Sequence, residues 1–367
     1  LEGSKYGNPR FNLKVIGLSA TKCNDIKRKL SQEDIIENQH DLLYHHFVKF
    51  PFPQMRNLDD FTLAVGGQPY RSIIMSTWRS GSKFLGDTLN AFSGNFYHCE
   101  PLQHYGIKQI RGPPWDENAI DDLKHLLKCN YTTMTRYIEF SKLHDYVFSR
   151  NIRLWNVCAE HPEYCWNATF LSEFCKIFPY QSMKIVRLRV KIAEELLKDN
   201  SLNTKILYMV RDPRSTFEAR KGLEWCKGVP DCKNVSMLCQ DMLSDYAASV
   251  DLKKKYPNRF RVIRYENLAL RPVKMVERIF QFFGMVYDAD VKKFVEVHTT
   301  NKSNSSSYVF DKTAPFHWRI KLTFSEIQDI QGKCREAMKS WGYTEATNAS
   351  TMYRFNPLTT YQLDDFK

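Results

Sequence analysis

The sequence predicts an α/β fold, a three-layer sandwich in which a central parallel sheet lies between layers of helices. Three observations carry that reading. Five short apolar runs alternate with stretches of helical periodicity, the order that builds a parallel sheet covered on both faces. One run passes through a small-residue turn straight into a helix, between Arg71 and Asn90. The polar residues with chemistry to offer fall where the runs end, and in an open parallel sheet that edge is where ligands bind.

Taken in order, residues 1–69 carry mixed charge, histidines and weak periodicity, with one helix over Ser31–Val48. They read as an arm packed on a main domain of residues 70–343. Arg71–Ser76 is the first strand, apolar and bounded by polar residues. Thr77–Ser82 is a tight turn in which Gly81 is free to take conformations other residues avoid. Phe84, Leu85, Thr88, Leu89 and Phe92 then repeat at helical spacing. Phe96–Glu100 is the second strand, ended by Pro101. Residues 111–180, with Pro113-Pro114 and clustered aromatics, read as a helical insertion shaping a cleft. Met183–Leu188, Lys205–Val210 and Phe260–Tyr265 are the other strands. Helical patterns cover Lys191–Lys198, Arg214–Leu223, Ser236–Tyr256 and Pro272–Phe283. Asn301–Ser307 reads as a mobile loop, Phe324–Trp341 as a last amphipathic helix, and 344–367 as a tail of little pattern.

Composition narrows the partners. A formal net charge of +12 suits an acidic partner or ligand. Zinc-ligand spacing, an RNP-like motif and a basic helix with interleaved aromatics are missing, so nucleic acid is not expected. Ten cysteines accompany six glycosylation sequons, at Asn130, Asn167, Asn234, Asn301, Asn304 and Asn348, which favours a secretory-pathway lumen. Cys158, Cys165 and Cys175 form one local cluster and Cys226, Cys232 and Cys239 another. Short-loop disulfides can form within each, with the pairing left open. No stretch approaches the roughly 18 apolar residues of a membrane span. The opening Leu-Glu-Gly-Ser reads as a cloning remnant, which leaves room for a natural N-terminal segment that has been removed.

The turn after the first strand has the chemistry of an anion cradle. Backbone N–H groups at a helix start point at the ligand, and Arg79, Ser80, Ser82 and Lys83 add charge and hydroxyl donors. It is not a Walker A loop, because Ser76 stands where the first Gly belongs and Lys83 follows Ser82. The run Arg79-Ser80-Gly81-Ser82-Lys83-Phe84 resembles the 5′-phosphosulfate loop of sulfotransferases. It is most similar to the form found in Golgi carbohydrate 6-O-sulfotransferases, which act on galactose, GalNAc or GlcNAc. Those enzymes carry Ser or Thr at the place of Lys83.

Further segments carry the same resemblance. Val210-Arg211-Asp212-Pro213-Arg214 resembles the family's 3′-phosphate-binding segment, which implies nucleotide contacts from Arg211 and Arg220. The family's phosphate-binding serine falls on Ala219 here, and Ser215, one turn earlier on the same face, is its candidate substitute. Read without the resemblance, Asp212 is a helix N-cap flanked by solvated arginines. Arg264-Tyr265-Glu266-Asn267-Leu268, ahead of Arg271-Pro272, is similar to the segment that braces the nucleotide loop, with Asn267 in place of the usual Asp. Trp318-Arg319, before Lys321-Leu322, is similar to a segment preceding the family's terminal helix. Its aromatic plane and guanidinium either close over the nucleotide or form a core Trp with a surface Arg.

Glu100 is the candidate general base: a carboxylate facing the loop could take the proton of an attacking sugar hydroxyl. Cys99-Glu100-Pro101 matches the family's Glu-Pro position. His98 and His104 are rivals, and His98, two residues away on a strand, is expected to share the face of Glu100. Arg187 and Arg189, with Lys184, could serve donor or acceptor. The resemblance implies a P-loop-like sulfotransferase fold and sulfuryl transfer from 3′-phosphoadenosine 5′-phosphosulfate (PAPS) to an acidic or neutral glycan. Arg79 and Lys83 would stabilise the moving group, and no metal is required. It also implies a type II membrane protein of the Golgi lumen. A divergent nucleotide kinase and a non-catalytic luminal binder of sulfated glycans are the alternatives.

Overall fold

The computed structural model describes residues 30–49, 56–299 and 310–366. The chain's opening residues and the loop expected at Asn301–Ser307 lie outside them. Five strands, β1 (Tyr70–Met75), β2 (Asn95–Cys99), β3 (Tyr180–Ile185), β4 (Thr204–Val210) and β5 (Phe260–Arg264), form one sheet in the order β2-β3-β1-β4-β5. Every pairing is parallel. β1 lies centrally, with Ile74 opposite Lys184 of β3 and Leu207 of β4. Its Ile73, Ile74 and Met75 are wholly buried, as expected of a strand covered on both faces.

Helices Ser82–Ala91, Pro272–Phe283 and Ala289–Thr299 pack together against one face. Helices Val190–Lys198, Val235–Lys255 and Phe324–Ser340 cover the other, which completes the expected three layers. The last of these starts at a reciprocal capping box between Thr323 and Glu326. The segment before β3 folds as helices Asp116–Leu127, Thr135–Leu143, Tyr146–Ser149, Ile152–Glu160 and Ala168–Lys176.

The main displacement from expectation is β3, which starts at Tyr180 and ends at Ile185 rather than spanning Met183–Leu188. Its first residues look polar in sequence, yet Gln181 and Ser182 are wholly buried and each makes a side-chain hydrogen bond, with Gln181 Oε1 left without a partner among the described residues. Ser182 Oγ accepts from Asn95 Nδ2 at 2.7 Å, and Gln181 Nε2 donates to Cys129 Sγ at 3.0 Å. Val186, Arg187 and Leu188 leave the sheet, Leu188 keeping a single bridge to Ile110.

Both cysteine clusters form the short-loop bridges expected of them, Cys158–Cys165 and Cys226–Cys232. The third member of each reaches further, in Cys129–Cys175 and Cys239–Cys334. Cys99 is a free thiol. From the N-terminal helix Gln32–Lys49, Ile35, Leu43 and Phe47 enter the common core, and from the C-terminal segment Tyr361, Leu363 and Phe366 do. Arg264 Nη1 ties that segment down by donating to the carbonyls of Gly342 and Thr359 at 2.8 and 2.9 Å. Among the described residues no helix is long and apolar enough to cross a membrane.

Candidate active site

A cleft of about 580 Å³ opens at the carboxyl ends of the strands. Its floor is the turn between β1 and helix Ser82–Ala91. Gly81 sits there with φ +87°, and a Cβ would come within 2.1 Å of the Tyr265 ring, so both conformation and space require glycine. Arg79 holds a left-handed φ of +65°, an uncommon conformation for a non-glycine residue. Its exposed guanidinium lines the cleft and has no side-chain partner among the described residues. Ser82 and Lys83 line the cleft beside it, Lys83 paired with Asp87 and its pKa lowered by burial. Ser80 is buried with its hydroxyl unbonded among the described residues. Phe84, expected as a donor contact, stacks on Phe310 at 4.2 Å in the core instead.

Arg211 leaves the end of β4 and forms the next wall. Its Nε donates to Ser215 Oγ at 2.9 Å, Nη1 to the Arg79 carbonyl at 2.7 Å and Nη2 to the Ala314 carbonyl at 2.9 Å. The guanidinium lies 4.8 Å from the centre of the Tyr265 ring, and burial lowers its pKa. Ser215 therefore fastens Arg211 from behind and does not itself line the cleft. Asp212 caps the following helix through the amide of Arg214, as the sequence suggested. The arginine is not solvated, however: Arg214 is fully buried against Asp212 at 2.7 Å.

The carboxylate of Glu100 meets Lys184 Nζ at 2.5 Å through Oε1 and Arg187 Nη1 at 2.8 Å through Oε2. Burial opposes its charge, but the two cations outweigh burial and hold the carboxyl at about 2. Arg187 is fixed further by donating Nε to the Gly106 carbonyl at 2.7 Å. Sheet register explains the meeting, since β2 ends with Cys99 opposite Lys184 and Glu100 follows directly.

Several expected site residues lie elsewhere. Glu100 has φ +47° and breaks the strand alternation, so His98 does not share its face. His98 is buried, its Nε2 2.9 Å from Tyr131 Oη, and burial pushes its pKa down to about 4. His104 Nε2 pairs with Asp122 at 3.0 Å, outside the cleft. Arg189, past the end of β3, points to the helical layer and pairs with Asp245 at 3.0 Å. Arg220 braces the turn from beneath, donating to Thr77 Oγ1 at 2.7 Å and to the Trp78 carbonyl at 2.9 Å. Burial lowers its pKa to about 9. Trp318 is wholly buried with Arg214 stacked at 4.1 Å, and Arg319 lies over Phe316 at 4.3 Å, off the cleft. The core-Trp reading of that segment is the one that holds.

The cleft also contains residues the sequence did not single out: Trp78, Gln103, Tyr146, Arg150 and Trp225. Lys184, expected to serve donor or acceptor, lines the cleft as the partner of Glu100. Tyr146 and Arg150 come from the helical segment before β3, where no spacing pattern marks a ligand-facing residue. Among the described residues no cluster of His, Cys, Asp or Glu could hold a metal ion.

A parallel sheet whose first turn opens into a cleft beside Arg211, at the end of β4, is an arrangement suited to an anionic nucleotide. The sulfotransferase domain family matches residues 69–342, and the chain belongs to that family of enzymes. Among characterised proteins it is similar to carbohydrate sulfotransferase 3 of Tetronarce californica, 26% identical over 76% of this chain and 74% of that protein. Human carbohydrate sulfotransferase 3 is 24% identical over 79% and 70%, and rat carbohydrate sulfotransferase 1 is 24% identical over 75% and 80%. Solved structures similar to it include the sulfotransferase domain of a Synechococcus olefin synthase, with 16% identity, a TM-score of 0.41 and coverage of 73% and 94%. A mouse sulfotransferase complexed with PAP is 14% identical, with a TM-score of 0.36 and coverage of 77% and 88%.

Proposed function

We propose that this enzyme transfers a sulfuryl group from PAPS to a sugar hydroxyl, at C6 of GalNAc, GlcNAc or galactose in a glycosaminoglycan or glycoprotein glycan. The observation that carries the reading is convergence. The Arg79–Lys83 turn, Arg211 and the Glu100–Lys184–Arg187 cluster come from four different strand ends and line one cleft. Arg211, held in place by the Ser215 hydroxyl, suits the 3′-phosphate, and the turn's amides with Arg79 and Lys83 suit the 5′-phosphosulfate. Similarity to carbohydrate sulfotransferases supports the sugar acceptor. Four disulfides support a luminal setting, for which we propose the Golgi, with the chain held there by an N-terminal anchor.

In the reaction the sugar oxygen forms a bond to sulfur while the bond from sulfur to the 5′-phosphate oxygen breaks. The hydroxyl proton passes to Glu100, and the bisphosphate leaves with the electron pair. Arg79, Lys83 and the turn's amides stabilise charge on the moving group and on the leaving phosphate. Held near 2 by both cations, Glu100 is too weak a base for this task. A phosphosulfate lying above the turn competes for Lys184 and Arg187. Each cation that turns toward it lets the Glu100 pKa rise. Donor binding thereby prepares the base.

The test is transfer of labelled sulfate from PAPS to glycan polymers, followed by identification of the sulfated carbon. Label at C6 of a hexosamine or galactose unit is the expected result. PAPS that is bound but never transferred would point to a non-catalytic binder instead.

A further inference from the structure

We propose that Arg150 and Trp225 form an acceptor subsite for an anionic sugar unit, one bearing a carboxylate or a sulfate ester. The inference rests on the reaction proposed above. It comes first from counting charge. Six cationic side chains line the cleft, against the carboxylates of Asp87 and Glu100. Asp87 is taken by Lys83, and Glu100 by Lys184 and Arg187. Once the turn and Arg211 are assigned to the donor's phosphate and phosphosulfate groups, Arg150 is the cation left over.

Arg150 also stands in the right place. It follows the short helix Tyr146–Ser149, is exposed, and has no side-chain partner among the described residues. Its charge reaches Cys99, the neighbour of Glu100, and Lys83. Arg150 thus lines the same cleft as Glu100, and a planar guanidinium binds carboxylate or sulfate oxygens through paired N–H donors.

Trp225 supplies an apolar surface on the same cleft. It directly precedes the Cys226–Cys232 disulfide, and its ring meets Trp78 edge-on at 6.2 Å and 71°. It nevertheless remains 42% exposed. A rigid indole with an open face costs little entropy to use and suits the C–H face of a pyranose. A ring seated on Trp225 with its acid directed to Arg150 is a charged hexose within a polymer, not a neutral one.

The experiment compares four acceptors: a hexosamine–hexuronate polymer, its carboxyl-reduced form, a partly sulfated hexose–hexosamine polymer and its desulfated form. Arg150→Ala should raise KM for the charged polymers by roughly ten- to a hundredfold, the range of a charge-assisted hydrogen bond. KM for their neutral counterparts, affinity for adenosine 3′,5′-bisphosphate and melting temperature should stay as in the wild type. Arg150→Lys should recover part of the loss. Whichever charged polymer loses more identifies the group Arg150 binds. Trp225→Ala should raise KM for all four alike, because stacking ignores the charge. Equal effects of Arg150→Ala on charged and neutral acceptors, or a wild-type preference for the neutral forms, would overturn the subsite while leaving the reaction standing. Unchanged KM values in Trp225→Ala would remove the stacking half. A wild-type enzyme that sulfates none of the four overturns the reaction and the subsite together.

Discussion

Two arginines follow β3, Arg187 and Arg189, and each faces a carboxylate, yet the two clusters differ in kind. Arg189 pairs with Asp245 at 3.0 Å and Asp241 at 3.6 Å, and Asp245 is only 1% exposed. The remaining capacity of Asp245 is filled by the Val190 amide at 3.0 Å and Tyr208 Oη at 2.9 Å. Every partner there is protein and none can leave. Glu100 is bound as closely by Lys184 and Arg187 but is 23% exposed, on an open cleft lined by further cations. One cluster is sealed and holds the fold. The other can exchange partners with an anionic ligand, and the proposed mechanism uses that exchange.

The sharpest way to break the comparison is to neutralise both carboxylates. Glu100→Gln keeps the size of the side chain but cannot take a proton at neutral pH. Turnover should fall by roughly two to four orders of magnitude. Melting temperature should hold, and affinity for adenosine 3′,5′-bisphosphate should hold or tighten as Lys184 and Arg187 are released. Near-normal turnover in that variant would move the base elsewhere. Asp245→Ala should do the reverse, costing roughly 3–5 kcal/mol of stability in urea unfolding because Arg189 is left buried without its main partner. A stability unchanged within error would mean the sealed cluster is not what holds that corner.

A smaller effect concerns His98, which burial keeps neutral with a pKa near 4. The unfolded chain protonates this group near its ordinary value of about 6.5, so it binds more protons than the folded chain between 6.5 and 4. Stability should therefore fall as pH drops through that window, by about 3 kcal/mol from this residue when the window is crossed. His98→Gln should flatten the curve there without altering the donor dependence of turnover. A curve as steep as the wild type would assign the acid sensitivity to other groups. Smaller still is Ala219→Ser. Ser215 already bonds Arg211 at 2.9 Å, so the added hydroxyl should change bisphosphate affinity by less than about threefold. A tenfold gain would show that Ser215 does not fill the role.

What could be read in advance, and what could not, follows the same line between backbone pattern and side-chain direction. β1, β2, β4 and β5 were legible to within a residue or two because a doubly covered strand is written as an apolar run. β3 was misplaced because it begins with Gln181 and Ser182, polar residues buried in the core with one side-chain hydrogen bond each. The turn at Arg79–Lys83, Arg211 and Glu100 were legible because their chemistry depends on local sequence around a strand end. His98 was misread because the positive φ of Glu100 ends the alternation, a torsion that no composition announces. Arg189, Arg220 and Trp318 are motif residues too, but they brace the site from inside the protein. Arg150 and Trp225 reach the cleft from distant segments, and only the packing brings them there.

The most direct test of the account is a titration of the wild-type enzyme with adenosine 3′,5′-bisphosphate, ATP and adenosine 5′-monophosphate, read by calorimetry and by melting temperature. A ligand that binds only the folded state raises melting temperature, and at a fixed concentration the rise grows with the logarithm of its affinity. The account predicts tight binding and a clear upward shift for the bisphosphate, because Arg211 and the turn hold its two phosphate ends at once. ATP and the monophosphate, lacking the 3′-phosphate, should bind at least tenfold more weakly, in keeping with a lost charge-assisted contact of roughly 1.5–3 kcal/mol. Equal affinity for all three ligands, or tightest binding of ATP, would contradict it.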